Sequence, residues 1–342
     1  MLGRVFLLEN LGVIMKKLRK LSKIIMLGLS LCILASCSGK DGKKNDYIIG
    51  VVQIADHPSL DAAREGFTEE LDKKGISYKL IDHRAGGDIA LIPQLASDLK
   101  IKGADLIYAI GTPAAQGVFN IVNDRPVLFT AVTDPIGAGL VDKNTRVGAN
   151  ITGVSDYVDP AKVIDDFLAI YPDTKTFATI YNTNEQNSIV QIKALEEALK
   201  KRGLELKKQG VSSINDIPQA LASLKSGTDA MVFVTDNVVV NAMPVIAKTL
   251  KDEKIPSLAF DEGSVENGAL IAEGVNYRKI GQRAGEMAAE ILKENKEIKE
   301  IPFEDAKDLE MLVNKETAEI LGLDLGKDSL KKAKIMENKE GK

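Results

Sequence analysis

The sequence predicts an α/β protein made of two Rossmann-like, parallel-sheet domains joined by three crossings of the chain. From residue 47 onward, short apolar runs alternate with amphipathic helical patterns, as expected for parallel sheets covered on both faces. The alternation stops near residue 150 and then begins again. A length of 342 residues is enough for two separate hydrophobic cores.

In the first domain, each of the first three apolar runs is followed by a helix with a recognisable start. Asp88 is a candidate N-cap, and Pro113 occupies the first helical position after Thr112. Gly75 ends the first helix. The predicted strands are residues 47–54, 78–82, 105–111 and 126–132, and the helices begin near Ser59, Asp88 and Thr112.

The second domain repeats this order, and three segments connect the two domains. The predicted helices are residues 160–171, 186–201, 215–224 and 238–250, and the strands are 177–181, 205–211, 230–235 and 257–260. Residues 151–155, 269–276 and 302–313 are the predicted crossings. A helix at 278–294 carries Gly281 and Gly285, which favour close packing against a sheet, and a short helix begins at 318. We therefore assign residues 47–152 and 270–298 to lobe 1, residues 153–269 and 299–326 to lobe 2, and residues 327–342 to a polar, solvated tail.

The N-terminal residues predict export and anchoring. A basic stretch begins at Met15, an apolar run follows at 24–34, and Leu34-Ala35-Ser36-Cys37 resembles a bacterial lipobox. The alternatives are an ordinary signal peptide or a buried N-terminal helix. We predict a signal peptide over residues 1–36 with the true start at Met15, lipidation of Cys37, and a flexible tether over 37–46. The protein would lie on the extracytoplasmic face of the cell membrane. Cleavage before Cys37 would also remove Cys32 and leave no internal disulfide.

Composition argues against several classes of function. The pI is about 5.5 and no basic block occurs beyond the N-terminus, which argues against a nucleic-acid-binding protein. Two histidines and two cysteines are too few for a usual zinc site, and tryptophan, on which neutral sugars usually stack, is absent. Neither a Gly-x-Ser-x-Gly elbow nor a Walker A loop occurs, so we predict no enzyme, no metal and no cofactor.

The candidate ligand-binding residues are those that follow the predicted strands. In open parallel sheets, ligands bind beyond the carboxyl ends of the strands, and two facing domains would place these ends on opposite walls of one cleft. Each residue could equally be an ordinary helix cap or turn former. The candidates are Gln53, His57, Pro58, Gly111, Thr112, Thr133, Asp134, Asp156, Tyr157, Asn182, Asn184, Asp236, Asn237 and Asp261.

Two of these candidates suggest how a zwitterion could be held. Thr112 begins a helix whose free N–H groups, together with its hydroxyl, would suit a carboxylate. Asp236 ends a strand of the second domain and is the first candidate acceptor for an ammonium group, with Asp134 and Asp261 as alternatives. These residues therefore predict an amino acid or a related zwitterion as the ligand.

Several short motifs resemble the ABC substrate-binding family with a type I periplasmic-binding fold, which is associated with tryptophan and tyrosine uptake. The resemblance extends from Tyr47 to about Leu325 and rests on Gln53-x-x-x-His57-Pro58, the run from Ile110 to Gln116, Val132-Thr133-Asp134-Pro135, the run from Asn150 to Asp156, and Tyr277-x-x-Ile280-Gly281. It implies a monomeric solute receptor that delivers an aromatic amino acid to an ABC permease with its ATPase. Because tryptophan is absent, Tyr157 is the first candidate for stacking on the ligand.

Three other functions stay open at this point. The same cleft could serve an exported ligand sensor that signals to a membrane kinase. The chain could instead be a surface adhesin lipoprotein in which the cleft is secondary. An exported enzyme on this fold has the least support from the sequence.

Overall fold

The structure, a computed structural model, describes residues 47–307 and 309–337. Within these residues the strands are β1 (Tyr47–Gln53), β2 (Tyr78–Arg84), β3 (Leu106–Ile110), β4 (Val127–Thr130), β5 (Ile151–Ser155), β6 (Thr176–Asn182), β7 (Glu205–Val211), β8 (Ala230–Phe233), β9 (Ser257–Ala259), β10 (Ile271–Val275), β11 (Glu304–Asp305), β12 (Leu309–Asn314) and β13 (Lys334–Met336). The α-helices are α1 (Pro58–Lys73), α2 (Ile92–Ile101), α3 (Thr112–Ile121), α4 (Pro160–Ile170), α5 (Gln186–Lys201), α6 (Ile217–Leu224), α7 (Asn237–Asp252), α8 (Glu262–Glu266), α9 (Tyr277–Leu292) and α10 (Lys315–Leu321).

The described strands form two sheets, which define two lobes. The first lobe contains the sheet β11-β5-β4-β3-β1-β2, and the second lobe contains the sheet β13-β12-β10-β9-β8-β6-β7. Neighbouring strands are parallel except for β10 and β12. The predicted α/β architecture with two mostly parallel sheets is confirmed.

Burial explains why the strands were recognisable. The central strands β3, β4 and β5 are buried along their whole length, so they read as continuous apolar runs. The edge strands β2 and β7 consist mainly of partly buried and exposed residues. Strand register aligns the carboxyl ends of neighbouring strands, since Ile110 lies beside both Gln53 and Thr130. These ends form one rim of the first sheet.

The chain changes sheets three times within the described residues. It enters the second lobe after β5, returns after β10 to form α9 on the first lobe, and passes through β11 into β12. The sheet positions of three short segments differ from the predicted lobe boundaries. All of β5 and β11 lie in the first sheet, and β10 lies in the second. The sequence could not locate these switches, because β5 and β10 are fully buried strands like their neighbours, and β11 has only two residues, both acidic.

Helix α9 packs directly on α1, and two glycines make the close approach possible. A Cβ atom at Gly281 would lie 1.9 Å from the carbonyl oxygen of Ala63, and one at Gly66 would lie 2.1 Å from the carbonyl oxygen of Arg278. The glycine-punctuated helix therefore packs closely against a helix and also contacts β4 and β5. This contact ties the segment that follows the second crossing to the first lobe.

The C-terminal part of the described chain differs from the predicted solvated tail. Residues 334–336 pair with β12 as an edge strand, and Leu330 is buried beside the core. The strand has only three residues and begins with Lys334, which is typical of protected sheet edges, and the lysine-rich sequence around it resembles a tail. The predicted signal peptide, Met15 start, Cys37 lipidation site and 37–46 tether lie outside the described residues. Among the residues that are described, no helix combines the length and apolarity needed to cross a membrane.

Candidate functional site

A small cavity lies between the two lobes, at the carboxyl ends of both sets of strands. It leaves about 10 Å³ of space, roughly the room needed for one water molecule. Five of the sequence-predicted residues line it, and they come from both lobes. The lining residues are His57, Leu60, Ala131, Asp156, Asn187, Thr235, Asp236, Asn237, Val240, Asp261 and Tyr277.

Asp156 lies at the base of this cavity, directly after the first crossing. Its two carboxylate oxygens accept hydrogen bonds from the Thr133 hydroxyl at 2.9 Å and the Tyr277 hydroxyl at 2.8 Å. Tyr277 begins α9 after the second crossing, so this bond joins two of the three connections. Burial raises the pKa of the Asp156 carboxyl, although both hydrogen bonds oppose that shift.

Direct hydrogen bonds hold the two lobes together around the cavity. The Ser59 hydroxyl of α1 donates to the Asp261 carboxylate at 2.9 Å and accepts the Gly263 backbone N–H at 2.9 Å. The hydroxyls of Thr133 and Thr235 lie 3.3 Å apart across the same interface. A ligand that enters the cleft would have to separate these groups.

The carboxylate of Glu185 is buried behind the cavity wall of the second lobe. It accepts hydrogen bonds from the side-chain amides of Asn182 at 3.0 Å, Asn187 at 3.3 Å and Asn237. Burial and the nearby charge of Asp236 raise the pKa of Glu185 to about 7. This cluster, Glu185 with Asn182, Asn187 and Asn237, is called the asparagine cluster below.

His57 connects the asparagine cluster to the first lobe. Its Nε2 lies 3.2 Å from Oδ1 of Asn237, and burial lowers the pKa of the imidazole. Because the Asn237 amide nitrogen faces Glu185, its oxygen must accept from the ring. This contact places a proton on Nε2 of His57. In the neutral ring, Nδ1 is then a buried acceptor, and it has no partner among the described residues.

Asp236 has a clear structural role as the N-cap of α7. Its carboxylate accepts hydrogen bonds from the Val239 backbone N–H at 3.0 Å, the Ser188 hydroxyl at 2.7 Å and the Asn182 backbone N–H. Although Asp236 lines the cavity, these contacts lie within the second lobe. Its carboxylate is thus largely satisfied before any ligand arrives.

Thr112 is at the N-terminus of α3 in the first lobe. The preceding Gly111 has a φ of 97°, and a Cβ there would lie 2.4 Å from the Ile54 side chain, so both the turn and the contact favour glycine. Thr112 is 1% exposed, and its hydroxyl has no hydrogen-bond partner within the part of the chain that the structure describes. Such an unsatisfied group next to free helix N–H groups suits an acceptor from a ligand.

Gln53, Pro58 and Asp134 do not line the cavity. Gln53 is buried and donates to the Ala55 carbonyl oxygen and the Asp61 carboxylate, and Pro58 is the first residue of α1. Asp134 accepts the Gly137 backbone N–H at 2.8 Å.

Three further predicted residues do not line the cavity. Asn182 and Asn184 line a larger groove of about 780 Å³ at the opening between the lobes. Tyr157 is 43% exposed and does not line the cavity. The aromatic ring in the lining is that of Tyr277.

Sequence reasoning missed Ser59, Asn187, Gln191 and Tyr277 as site residues. Each lies in the first or second turn of a helix that follows a strand end. Gln191 donates to the Thr133 hydroxyl at 3.3 Å and is 1% exposed. A polar residue that faces inward within two turns of a strand end is the signal that could have identified them.

The carboxyl group of Glu262, near this site, is expected to make the free energy of unfolding depend on pH. Burial and the nearby charges of Glu266, Asp261 and Glu310 raise its pKa to about 7. Because the folded pKa exceeds the unfolded value, the contribution of Glu262 to stability is most favourable below about pH 4.5 and is lost as the pH rises toward 7. We expect Glu262→Gln to raise the free energy of unfolding by on the order of 2 to 3 kcal/mol at pH 8 and by much less at pH 5.

Urea unfolding at both pH values would measure this effect. The exposed Glu197→Gln is a matched control, for which no pH-dependent gain is expected. An equal effect of Glu262→Gln at pH 5 and pH 8 would contradict the assignment of a raised pKa.

Comparisons with known proteins agree in the class that they indicate. A family model described as "ABC transporter substrate binding protein" matches residues 48–336. A Clostridioides difficile protein named "Tyrosine-binding protein" is 37% identical over 341 residues, which cover 95% of this chain and 99% of that protein. The crystal structure of a Streptococcus pneumonia ABC domain in complex with L-Trp has a TM-score of 0.80 at 29% identity, covering 85% of this chain and 99% of that one.

An open structure in the comparisons shows how the arrangement of the lobes affects the TM-score. The ligand-free, open structure of a substrate binding protein with adhesive properties from Clostridium difficile is 36% identical and covers 86% of this chain and 100% of its own, yet its TM-score is 0.66. The L-Trp complex has a higher TM-score, 0.80, although its sequence identity to this chain is lower, at 29%. This order agrees with the small cavity and the direct bonds between the lobes, which describe a closed cleft.

Proposed function

Because the chain belongs to the ABC transporter substrate-binding protein family, we propose that it captures an aromatic amino acid, tyrosine or tryptophan, for an importer. The family binds solutes, and in this proposal the chain performs no chemistry. Transport would require a separate permease with its own ATPase. The lipid anchor at Cys37 would keep the receptor on the outer face of the cell membrane.

The observation that carries the proposal is the chemistry of the interlobe cavity. No lysine or arginine is among the described residues that line it, whereas Asp156 and Asp261 are buried in its wall. Leu60, Ala131 and Val240 supply apolar surface. This combination favours a ligand with a protonated amine and an apolar body.

The carboxylate of such a ligand requires donors, which the first lobe offers. The buried, unpartnered hydroxyl of Thr112 and the N-terminus of α3 are the donors that we propose. The hydrogen bonds of Asp236 all lie within the second lobe, whereas Asp261 accepts from Ser59 of the first lobe and Asp156 lies at the first crossing. We therefore propose Asp156 and Asp261 as the carboxylates that face the ammonium group. The relatives named for tyrosine and crystallised with L-Trp support an aromatic side chain.

Ligand capture would proceed by opening and closing about the three crossings. The interlobe cavity of about 10 Å³ is too small to hold an amino acid, so the lobes must separate before the ligand enters. On closing, the ligand would replace part of the direct interlobe contacts, such as the hydroxyl contact between Thr133 and Thr235. Its contacts with both lobes would stabilise the closed form over the open form.

A thermal-shift assay on the full-length protein in detergent tests the ligand class. We expect L-tyrosine or L-tryptophan to raise the melting temperature, since a ligand at a hundred times its Kd stabilises by about 2.7 kcal/mol. Neutral sugars should have no effect. Because the chain has no tryptophan, selective indole excitation would report bound L-tryptophan directly. A response to a sugar or nucleoside and to no amino acid would refute the proposal.

Adhesion is a second candidate function, because the open-form relative is described as having adhesive properties. Uptake of a labelled aromatic amino acid by cells that lack the gene separates the two. Loss of uptake supports the importer, whereas normal uptake with reduced surface attachment supports the adhesin. Neighbouring genes for a permease and an ATPase, rather than a kinase, would also favour the importer over a sensor.

A further inference from the structure

The asparagine cluster explains which way its amides must point. The two N–H groups of the Asn187 side chain donate to Glu185 Oε2 at 3.3 Å and to the Thr235 carbonyl oxygen at 2.8 Å. Rotating this amide by 180° would set its oxygen against two acceptors. The orientation is therefore fixed, and Oδ1 is turned away from Glu185.

That oxygen is a buried acceptor with nothing to accept. Asn187 is 3% exposed, it lines the interlobe cavity, and its Oδ1 has no partner among the described residues. Nδ1 of His57 is in the same situation on the opposite lobe, and its tautomer depends on Asn237, whose amide nitrogen also faces Glu185. The buried carboxylate of Glu185 thus orients two unsatisfied acceptors, Asn187 Oδ1 directly and His57 Nδ1 through Asn237.

We infer that Glu185 is a positioning residue which selects ligands that carry an amine, by fixing Asn187 Oδ1 and His57 Nδ1 as acceptors for its N–H groups. The inference rests on the proposed function and deepens it, since it assigns recognition of the amine of the amino acid to Asn187 and His57. An ammonium group offers three N–H donors, which match these acceptors and a nearby carboxylate. A ligand without the amine would leave both acceptors buried and unsatisfied.

Replacing the carboxylate by an amide should upset this arrangement. In Glu185→Gln, one oxygen becomes an NH₂ group that cannot accept from the surrounding asparagines. At least one asparagine amide must then rotate and turn its own NH₂ group toward the cavity or toward His57. The cavity would lose an acceptor with almost no change of volume.

The test compares the full-length protein with L-tyrosine and with 3-(4-hydroxyphenyl)propanoate, which lacks the amine, by titration calorimetry. L-Tryptophan and 3-(indol-3-yl)propanoate form the second pair. We expect the wild type to prefer the amino acid, and Glu185→Gln to reduce that preference by about tenfold to a hundredfold. The affinity for the analogue without the amine should hardly change. Glu197→Gln, on the exposed side of the same helix, should keep the full preference.

Asn187→Ala is tested in parallel, because it removes the acceptor itself and leaves Glu185 with two other amides. It should lower the preference to a similar extent. An unchanged preference in folded Glu185→Gln and Asn187→Ala would overturn the inference while the proposed function stands. If the wild type bound neither amino acid, the proposed ligand class would fail and the inference would fail with it.

Discussion

Gly263→Val is expected to weaken binding of the aromatic amino acid by about a hundredfold, because it blocks closure of the cleft. A Cβ atom at this position would lie 2.6 Å from the Ser59 hydroxyl oxygen and 3.0 Å from the Ser59 backbone nitrogen. Ser59 belongs to the opposite lobe, and its backbone cannot move away as a flexible side chain would. The two extra methyl groups of valine would enlarge the overlap.

The same substitution should leave each lobe folded. Gly263 does not have a positive φ, so its backbone accepts other residues. In an open form the opposite lobe would be displaced, and the overlap with Ser59 would disappear. We therefore expect a melting temperature close to that of the wild type without ligand, and a larger change with ligand.

Calorimetry with L-tyrosine and L-tryptophan gives the affinity, and small-angle scattering reports closure. The wild type should become more compact on saturation with ligand, whereas Gly263→Val should stay extended. Glu266→Val, on the exposed side of the same short helix, is the matched control and should bind normally. Full affinity together with normal compaction in Gly263→Val would show that this contact is not part of closure.

The architecture could be predicted because each strand and the helix after it have local signals in the sequence. A strand covered on both faces is apolar throughout, and the helix after it begins with a capping residue or proline, as at Asp159 and Pro160. These signals lie within a few residues of each other. The positions at which the chain changes sheets could not be predicted. Strand β10 is fully buried, and its sequence would look the same whether it belonged to the first sheet or to the second.

The site could be predicted only in part, for a related reason. Asp156 and Asp261 follow strand ends, where polar residues stand out against the apolar run before them. Asn187 instead lies within an amphipathic helical pattern, where a polar residue reads as part of the solvated face. Its burial at 3% exposure depends on contacts with residues that are distant in sequence, such as Thr235. No local pattern records such a contact.

Tyr157 stays a prediction as the aromatic residue that stacks on the ligand. It follows Asp156 at a crossing, and the absence of tryptophan made it the first aromatic candidate, yet its side chain is 43% exposed. Asp156 turns toward the cavity, and neighbouring residues in an extended segment point in opposite directions. Tyr277, which follows the second crossing, is the tyrosine that lines the cavity.

Cys37→Ala is expected to abolish lipid labelling and to release the protein from the membrane entirely. The prediction rests on the order of the basic stretch, the apolar run and Leu34-Ala35-Ser36-Cys37 in the sequence. The thiol of Cys37 would carry the diacylglycerol, and no serine or alanine can replace it chemically. Because stable anchoring requires more than one acyl chain, losing this single attachment point should remove all of it.

Metabolic labelling with a fatty-acid probe, followed by membrane fractionation, measures both effects in the same cells. Cys32→Ala is the matched control, since Cys32 lies in the apolar run that cleavage would remove, and it should keep full labelling. The soluble Cys37→Ala protein should still bind its amino acid, because the interlobe cavity is formed by residues 57–277. Label retained in Cys37→Ala, or lost in Cys32→Ala, would show that the anchor is not at Cys37. A signal peptide cleaved without lipidation would then account for the same N-terminal pattern, and a freely diffusing receptor would have to reach its permease by collision.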